Sequence, residues 1–411
     1  MNSAKIVILG AGTGGLVAAN ELRRILPQEH QITLIEKDKY HALAPSFLWV
    51  MTGARKAYQI TRPVARLIRL GIRLVIDEVK GIHLARKSVV TDGTRIPYDY
   101  LIVAVGAELA FDKLPGNDPD MQTFFTLDGA VRLHERLREF RGGKIAVVVT
   151  SIPYKCPGAP HEGVMLIADH LRRKLGGVNG EIHLFTPEPQ PLPVAGPELG
   201  AMVRNVLESR GIEFHPRHRL SGFERKTLRF DGSQDFEYDM LIMIPPHRSP
   251  KFVRESALVN ESGWIPVHEG SLSTKYENVY AVGDVAAVPL PGRWATDVPL
   301  ALPKAGVFAH SQALIVSKRI AGEIMGRRSD AKFCGDGYCM LEAGEDVAGF
   351  AYGNFFAEPS PDVRLRRMGR NWHLGKVLFE KWWLAPFGLR RALLRSVITA
   401  GGKLLGFPLE L

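Results

Sequence analysis

An apolar run, a glycine pattern and a helix-forming segment follow one another at the start of the chain. Residues 5–9 read KIVIL, G-x-G-x-x-G occupies 10–15, and 16–26 favour a helix. A second apolar run, 31–35, ends at Glu36. This order predicts a β-α-β unit whose helix N-terminus faces a pyrophosphate and whose acid accepts a ribose hydroxyl. The alternative is a glycine turn that binds nothing.

The same hydrophobic pattern recurs later, which indicates an internal duplication. Residues 98–106 (YDYLIVAVG) are echoed by 238–246 (YDMLIMIPP), and 5–9 by 144–149 (KIAVVV). Each copy predicts a strand-helix alternation around a parallel sheet.

The second copy has lost its nucleotide loop. No glycine lies between Lys144 and Pro157, where residues 150–156 read TSIPYKC. The strand 181–186 also lacks an acid at the position that matches Glu36. Because side chains in place of the glycines would block a pyrophosphate, this half is not expected to bind NAD(P)H.

A return to the first lobe is predicted after the second. Residues 278–284 (NVYAVGD) form an apolar strand that ends in Gly-Asp, a pattern that flavin enzymes use to bind the ribityl chain. Residues 302–310 open another helix, whose N-terminus would stabilise negative charge on a reduced flavin. The alternative is that Asp284 caps a core helix.

These elements predict an α/β fold with two tandem Rossmann-like dinucleotide-binding domains, the first of them discontinuous. A C-terminal membrane-associating helical region with a cysteine motif completes the chain. The predicted bounds are 1–110 and 266–325 for the FAD-binding domain, 111–265 for the second, degenerate domain, and 326–411 for the C-terminal region.

Length and composition support this organisation. The 411 residues exceed one ordinary core, and a hydrophobic content of 45% can fill two or three. Three cysteines exclude a secreted disulfide framework. The chain enters its first strand without a charged-then-apolar leader, and its apolar stretches are far shorter than the ~20 residues of a spanning helix. We therefore expect no export signal and, at most, peripheral association with the cell membrane, on an undetermined face.

The tail holds nearly all of the net charge of +10. Residues 363–403 contain ten Lys or Arg against the single acid Glu380. A helix over 387–400 would separate an apolar side from a basic side, a pattern typical of helices that lie in the membrane interface. The apolar side holds Phe387, Leu389, Leu393, Leu394, Val397 and Ile398, and the basic side holds Arg390, Arg391 and Arg395. The alternative is a helix packed on its own core or on a partner subunit of a homo-oligomer.

Five further segments indicate a family: 44–53 (APSFLWVMTG), 155–162 (KCPGAPHE), 302–308 (LPKAGVF), 337–342 (GYCMLE) and 376–383 (KVLFEKWW). In this order they resemble sulfide:quinone oxidoreductases, within the flavoprotein disulfide reductase superfamily. The resemblance spans essentially the whole chain. It implies FAD as cofactor, sulfide as electron donor, membrane quinone as acceptor and no nucleic-acid partner.

The resemblance also implies the site residues. Cys156 and Cys339 match the redox cysteines of the family, and Glu162 matches its suspected base. Lys376 and Phe379 fall where the family lines its quinone channel. The residues expected to bind FAD are Gly10, Gly12, Thr13, Gly14, Gly15, Glu36, Lys37, Pro45, Val79, Ala104, Gly106, Gly283, Asp284 and Lys304.

Several of these assignments have structural alternatives. The cysteines could be unrelated core thiols, and Glu162 a first-turn glutamate stabilised by the helix dipole. A helix N-terminus nearby is expected to favour a thiolate at Cys156. His161 is expected to be a solvated helix-start residue and Cys334 a buried or half-buried thiol. Neither the third family cysteine nor its nearby histidine is present in 123–129 (TFFTLDG).

Three other functions compete with sulfide oxidation. A type II NADH:quinone dehydrogenase needs a working second nucleotide loop, and the flavin subunit of a flavocytochrome c sulfide dehydrogenase is exported. A non-catalytic flavin-binding redox sensor stays open. No metal site is expected, since no CxxC or His-x3-His spacing accompanies the cysteines.

Overall fold

The first lobe is built on a parallel sheet. A computed structural model describes residues 3–174, 176, 180–327 and 329–406 of the chain. The elements of this lobe are β1 (Lys5–Leu9), α1 (Thr13–Ile25), β2 (Gln31–Glu36), β3 (Tyr40–Ala42), α2 (Phe47–Met51), β4 (Thr61–Pro63), β5 (Ile72–Ile76), β6 (Val79–His83), β7 (Ser88–Thr91), β8 (Arg95–Pro97) and β9 (Tyr100–Val103). Strand β1 pairs in parallel with β2 and β9, and β2 with β5.

The second lobe repeats this plan around β11. Its elements are β10 (Glu108–Leu109), α3 (Leu127–Glu139), β11 (Gly143–Val149), α4 (Ala159–Lys174), β12 (Gly180–Phe185), α5 (Pro197–Ser209), β13 (Ile212–His215), β14 (Leu220–Glu224), β15 (Thr227–Phe230), β16 (Phe236–Glu237), β17 (Met240–Ile244), β18 (His247–Arg248) and α6 (Lys251–Arg254). The parallel sheet has the order β13-β12-β11-β17, and β14, β15 and β16 form a separate antiparallel sheet.

The duplication is confirmed in the packing of the two lobes. Strand β9 lies beside β1, and β17 lies beside β11. The aspartate before each closing strand makes the same contact: Asp99 accepts the backbone N–H of Lys5 at 2.7 Å, and Asp239 accepts that of Lys144 at 2.8 Å. In each lobe, an aspartate carboxylate thus binds the backbone at the start of the first strand of the sheet.

The chain then returns to the first sheet and ends in a region of mixed structure. The remaining elements are β19 (Ile265–Pro266), β20 (Val279–Ala281), β21 (Ala286–Ala287), α7 (Gly306–Ile324), β22 (Asp336–Gly344), β23 (Val347–Asn354), β24 (Asp362–Gly369), α8 (Arg370–Trp383) and α9 (Leu389–Leu404). Strand β20 pairs in parallel with β9, so the first sheet has the order β20-β9-β1-β2-β5. The predicted domain bounds stay a prediction.

The prediction that the C-terminal region is helical is only partly right. Strands β22, β23 and β24 form an antiparallel sheet before the two helices. The turn between β22 and β23 places Glu345 at φ +57° and Asp346 at φ +58°, as tight hairpin turns require. Helix α8 packs on this sheet, where the Trp372 ring stacks on Phe350 at 4.6 Å. Among the described residues, no helix has the length and apolar content needed to cross a bilayer.

Candidate active site

The glycine loop of the first lobe has the close packing that its sequence predicts. A Cβ at Gly15 would lie 1.8 Å from the carbonyl oxygen of Gly10, and Gly10 has a φ of +92°. A Cβ at Gly14 would lie 2.9 Å from Val282. At Gly12, by contrast, a Cβ would meet no described heavy atom within 4 Å. The loop is therefore tight on its inner side and open where a ligand would approach the N-terminus of α1.

Glu36 lies beside this loop at the end of β2. Its carboxylate accepts the backbone N–H of Ala11 at 2.5 Å and that of Asp38 at 3.1 Å. Lys37 next to it is exposed, and Val79 is buried at the start of β6. The carboxylate is thus oriented toward the glycine turn.

Ala104 and Gly106 follow β9 at the same edge of the sheet. The N–H of Ala104 donates to Leu9 at 2.9 Å, and Gly106 has a φ of +66° that favours glycine. A Cβ at Gly10 would lie 2.6 Å from the Ala104 oxygen. Ala104 therefore lies directly against the glycine turn.

Gly283 and Asp284 follow β20, beside the N-terminus of α7. The Lys304 ammonium donates to the Asp284 carbonyl at 2.5 Å and lies 3.6 Å above the Trp264 ring. Burial raises the pKa of Asp284, although Lys304 and Lys155 oppose the shift. Burial lowers the pKa of Lys304 to about 8, with Asp284 acting against it. Lys304 therefore fixes the backbone after Asp284.

Cys156 lies in the loop between β11 and α4, which is attached to the first lobe. Its N–H donates to the Lys304 carbonyl at 2.6 Å, and Lys155 pairs with Lys304 as a β-bridge. Its φ of +55° lies in a region that non-glycine residues seldom adopt. Its carbonyl accepts the N–H of Ala159, where α4 begins. The loop is fixed at both ends of Cys156.

Cys339, Glu162 and Lys376 meet beside this loop, although they come from β22, α4 and α8. The Lys376 ammonium donates to a carboxylate oxygen of Glu162 and, at 3.1 Å, to the carbonyl of Met340. The same Glu162 oxygen accepts the N–H of Glu342 at 3.0 Å. Glu162 is only 2% exposed, so this is a buried ion pair held by backbone groups.

Gly158 leaves open a gap between the cysteine loop and β22. A Cβ at this position would lie 3.6 Å from a Glu162 oxygen and 3.8 Å from the Cys339 sulfur. It would also lie 2.8 Å from Leu341. A side chain here would occupy the space beside the thiol.

Charge and burial set the protonation of the two thiols. Burial raises the pKa of Cys156 to about 12, the Glu162 carboxylate adds to the shift, and Lys376 opposes it. The pKa of Cys339 is raised for the same reasons, with Cys156 adding to the shift. The prediction that the helix N-terminus yields a thiolate is therefore wrong, because burial and Glu162 outweigh the single backbone hydrogen bond. Both shifts favour the protonated thiol over the thiolate.

Glu162 can act as the proton acceptor in this setting. Burial raises its pKa, although Lys376 and the N–H of Glu342 oppose the shift. Burial lowers the pKa of Lys376, but the Glu162 and Glu342 charges outweigh this effect and raise it overall. The carboxylate is thus a stronger base than a solvated glutamate, beside a lysine that stays charged.

One cavity of about 280 Å³ joins these groups to the first lobe. It is lined mostly by apolar side chains, as ligand sites commonly are. Among the predicted site residues, the cavity is lined by Thr13, Pro45, Cys156, Glu162, Lys304, Cys339, Lys376 and Phe379. The Phe379 ring stacks on Trp383 at 6.0 Å.

The comparisons with known proteins agree with this architecture. The family model described as pyridine nucleotide-disulphide oxidoreductase matches residues 4–306. The chain belongs to this family. A sulfide-quinone reductase of Aquifex aeolicus is 26% identical over 399 residues, covering 92% of this chain and 90% of its own. The type II NADH:quinone oxidoreductase NdhA of Mycobacterium tuberculosis is 28% identical over 324 residues, covering 70% of this chain and 67% of its own.

A solved structure has the same fold as this pyridine nucleotide-disulphide oxidoreductase. The X-ray structure of the sulfide:quinone oxidoreductase from Aquifex aeolicus matches it with a TM-score of 0.85 at 22% identity. The match covers 100% of this chain and 97% of that one. The predicted resemblance to sulfide:quinone oxidoreductases is confirmed.

FAD is the cofactor of this pyridine nucleotide-disulphide oxidoreductase, as predicted. The residues fit it, because the open side of Gly12 and the carboxylate of Glu36 lie at one edge of the first sheet. Such a loop suits the pyrophosphate and such an acid the ribose. The N-terminal residues of α7, Gly306 and Val307, line the cavity that holds the cysteines.

Two other predictions for this pyridine nucleotide-disulphide oxidoreductase are wrong. His161 is not solvated but only 1% exposed, and burial lowers its pKa to about 4. Helix α4 begins at Ala159, so His161 lies in its first turn. This helix packs against β22 and β12, which bury the His161 side chain. Cys334 is exposed rather than buried, since it precedes β22 at the surface.

Glu188 is a buried acid in the cavity lining that was not predicted from the sequence. The Tyr154 hydroxyl donates to Glu188 at 2.8 Å, and the Thr186 hydroxyl to the same oxygen at 3.1 Å. Burial raises the pKa of Glu188 to about 7, although both hydroxyls act against this shift. The signal was an acid two residues beyond the position that matches Glu36.

Proposed function

We propose that the chain oxidises sulfide to zero-valent sulfur or polysulfide and passes the electrons through FAD to a membrane quinone. One observation carries this proposal: Cys156, Cys339, Glu162 and Lys376 line one cavity that also contains the N-terminus of α7. The names of the curated relatives point the same way.

The reaction balances with a cysteine pair as the sulfur carrier. The two free thiols would first form a Cys156–Cys339 disulfide, with a quinone taking up their two electrons and two protons through FAD. Hydrosulfide then attacks one sulfur of this disulfide, so a new S–S bond forms as the original one breaks. One cysteine becomes a persulfide and the other a thiolate. Overall, hydrosulfide, one proton and a quinone give zero-valent sulfur and a quinol. Bound FAD would accept the two electrons and deliver them to the quinone.

Glu162 and Lys376 supply the proton chemistry and the charge. We assign Glu162 as the acceptor of the sulfide proton, because its carboxylate lies beside both sulfurs and has a raised pKa. Lys376 offsets the negative charge that a thiolate brings into the buried site. Lys376 and Phe379 also line the apolar wall on which we place the quinone.

NADH is a poor alternative donor on geometric grounds. Strand β1 ends at Leu9 and α1 begins at Thr13, which leaves three residues for the turn. Strand β11 ends at Val149 and α4 begins at Ala159, which leaves nine. A tight glycine turn is what brings a helix N-terminus against a pyrophosphate, and the second lobe lacks one.

The donor is tested by anaerobic mixing. Sulfide is expected to bleach the visible absorbance of the bound flavin, and NADH at the same concentration is expected to leave it unchanged. The measurement is stopped-flow absorbance of the FAD-loaded protein. Rapid bleaching by NADH would favour a type II NADH:quinone dehydrogenase instead. Bleaching by neither donor would favour the redox sensor.

We also propose that α9 docks the protein on an anionic bilayer surface. Its exposed apolar residues form a stripe of Leu389, Leu393, Val397 and Leu404, with exposed fractions of 92%, 66%, 48% and 88%. Arg390 lies next to this stripe. The predicted division into two sides is corrected in part: Leu394 and Ile398 pack inward, and Arg391 is half-buried over the Phe387 ring at 4.6 Å.

Membrane docking is tested by removing the apolar stripe. The triple change Leu389→Gln, Leu393→Gln and Val397→Gln is expected to release the protein from anionic lipid vesicles in a sedimentation assay, because burial of apolar area drives such docking. Leu70→Gln is the matched control, since Leu70 is 95% exposed elsewhere. Unchanged sedimentation of the triple variant, together with a smaller particle by light scattering, would assign the stripe to a homo-oligomer.

A further inference from the structure

Two histidines and a glutamate come together on β12 and on the edge strand β13 of the second lobe. Strands β12 and β13 are parallel, with His183 opposite Glu213 and Phe185 opposite His215. Because side chains alternate along a strand, His183, Glu213 and His215 lie on one face of the sheet. The two histidines are 32 residues apart, so no short sequence spacing marks the cluster.

The distances between the three donor atoms match those around a metal ion. His183 Nδ1 lies 3.1 Å from His215 Nε2 and 3.4 Å from a Glu213 oxygen, and His215 Nε2 lies 3.8 Å from that oxygen. Bonds of about 2.0–2.2 Å at a tetrahedral angle separate ligand atoms by roughly 3.3–3.6 Å. The cluster therefore needs only small shifts to surround one ion.

We propose that His183, Glu213 and His215 bind one divalent transition-metal ion, with zinc as the best match. Two imidazoles and a carboxylate suit zinc, nickel or copper rather than magnesium or calcium. Three protein ligands leave a fourth position open to water. The Glu213 carboxylate is 63% exposed, so the site is accessible from solvent.

The surroundings of His183 support ligation through Nδ1. The residue is only 4% exposed, and among the described residues its Nε2 has no hydrogen-bond partner. When Nδ1 holds the ion, Nε2 carries the proton and faces the Glu181 carboxylate 3.8 Å away. Carboxylates in this position orient metal-binding histidines and raise their basicity. Glu181 is thus a positioning residue for the site.

Aromatic packing holds both imidazoles in place before any ion arrives. The Phe236 ring lies 4.6 Å from that of His183, and Phe185 stacks on His215 at 4.3 Å. A ligand set with fixed ring orientations loses little entropy on binding. The bound ion would link the edge strand β13 to β12 and so stabilise the edge of the sheet.

The test uses FAD-loaded protein stripped of metal with a chelator and kept free of sulfide. After dialysis against zinc chloride, the wild-type protein is expected to retain about one equivalent of zinc and to unfold at a higher temperature. His215→Ala and Glu213→Gln are expected to bind zinc at least tenfold more weakly and to lose the thermal shift. Glu181→Gln is expected to weaken binding by about 10-fold or more, as loss of such partners does elsewhere.

His268→Ala is the matched control, because it removes an exposed imidazole outside the cluster. It is expected to bind zinc like the wild type. His183→Ala is less informative alone, since that side chain is buried. Equal retention of zinc by the wild type, His215→Ala and Glu213→Gln would overturn the proposal, as would failure of the wild type to retain any.

Discussion

Cys156→Ser and Cys339→Ser are each expected to abolish the bleaching of bound flavin by sulfide. A serine hydroxyl can form neither the disulfide that hydrosulfide attacks nor the persulfide that results. We expect the rate to fall by at least about 10³-fold, the scale on which loss of an essential nucleophile acts. Stopped-flow absorbance under anaerobic conditions measures it, and the flavin spectrum before mixing shows that FAD is still bound.

Cys334→Ser provides the matched control for both variants. Its sulfur is exposed and contacts only the Lys332 carbonyl, at 3.5 Å, among the contacts described for it. It is expected to turn over sulfide at the wild-type rate. If Cys156→Ser or Cys339→Ser kept that rate, the two cysteines of the cavity would be structural thiols and the proposed sulfur chemistry would fail.

The nucleotide site of the first lobe could be predicted because its determinants are local. The glycine loop, the helix and Glu36 lie within one β-α-β unit, and the φ of +92° at Gly10 is a property of that loop alone. The duplication was predictable for a similar reason. The aspartate that precedes each closing strand accepts a backbone N–H at the start of the first strand of its sheet, Asp99 from Lys5 and Asp239 from Lys144.

The electrostatics of the cysteines could not be predicted from local sequence. A helix N-terminus near Cys156 suggested a thiolate, yet burial and a carboxylate raise its pKa. Burial depends on β22 and α8, which lie far along the chain. For the same reason, the Glu162–Lys376 pair joins residues 214 positions apart, and no spacing rule links them.

The C-terminal sheet was not predicted, because the positive charge of its last strand also fits a basic surface. Strand β24 contains Arg364, Arg366 and Arg367, which read as part of a basic surface. Their alternation with Val363 and Leu365 was the strand signal. The position of Cys339 depends on this sheet, because strand β22 places Cys339 beside Glu162 and Lys376.

Glu162→Gln is expected to slow sulfide-driven flavin reduction by about 10²–10⁴-fold, the usual contribution of a positioned general base. The amide preserves the shape but cannot take a proton. Lys376→Met is also expected to slow the reaction, because Glu162 loses its counter-charge and holds its own proton more tightly. Glu380→Gln is the control from the same helix. It removes the carboxylate charge that pairs with Arg55 at 2.8 Å and is expected to leave the rate unchanged.

The free energy of unfolding of the Glu162 and Lys376 variants shows whether these two residues act as an ion pair or independently. Each single change removes the partner of a buried charged group, which typically costs about 3–5 kcal/mol. The double variant Glu162→Gln with Lys376→Met leaves neither charge, so we expect it to be more stable than either single variant and still slow with sulfide. Denaturant midpoints of the FAD-loaded proteins measure this. A double variant that lost the sum of the two single effects would mean that the residues do not act as a pair. Glu162 would then accept the sulfide proton without help from the charge of Lys376.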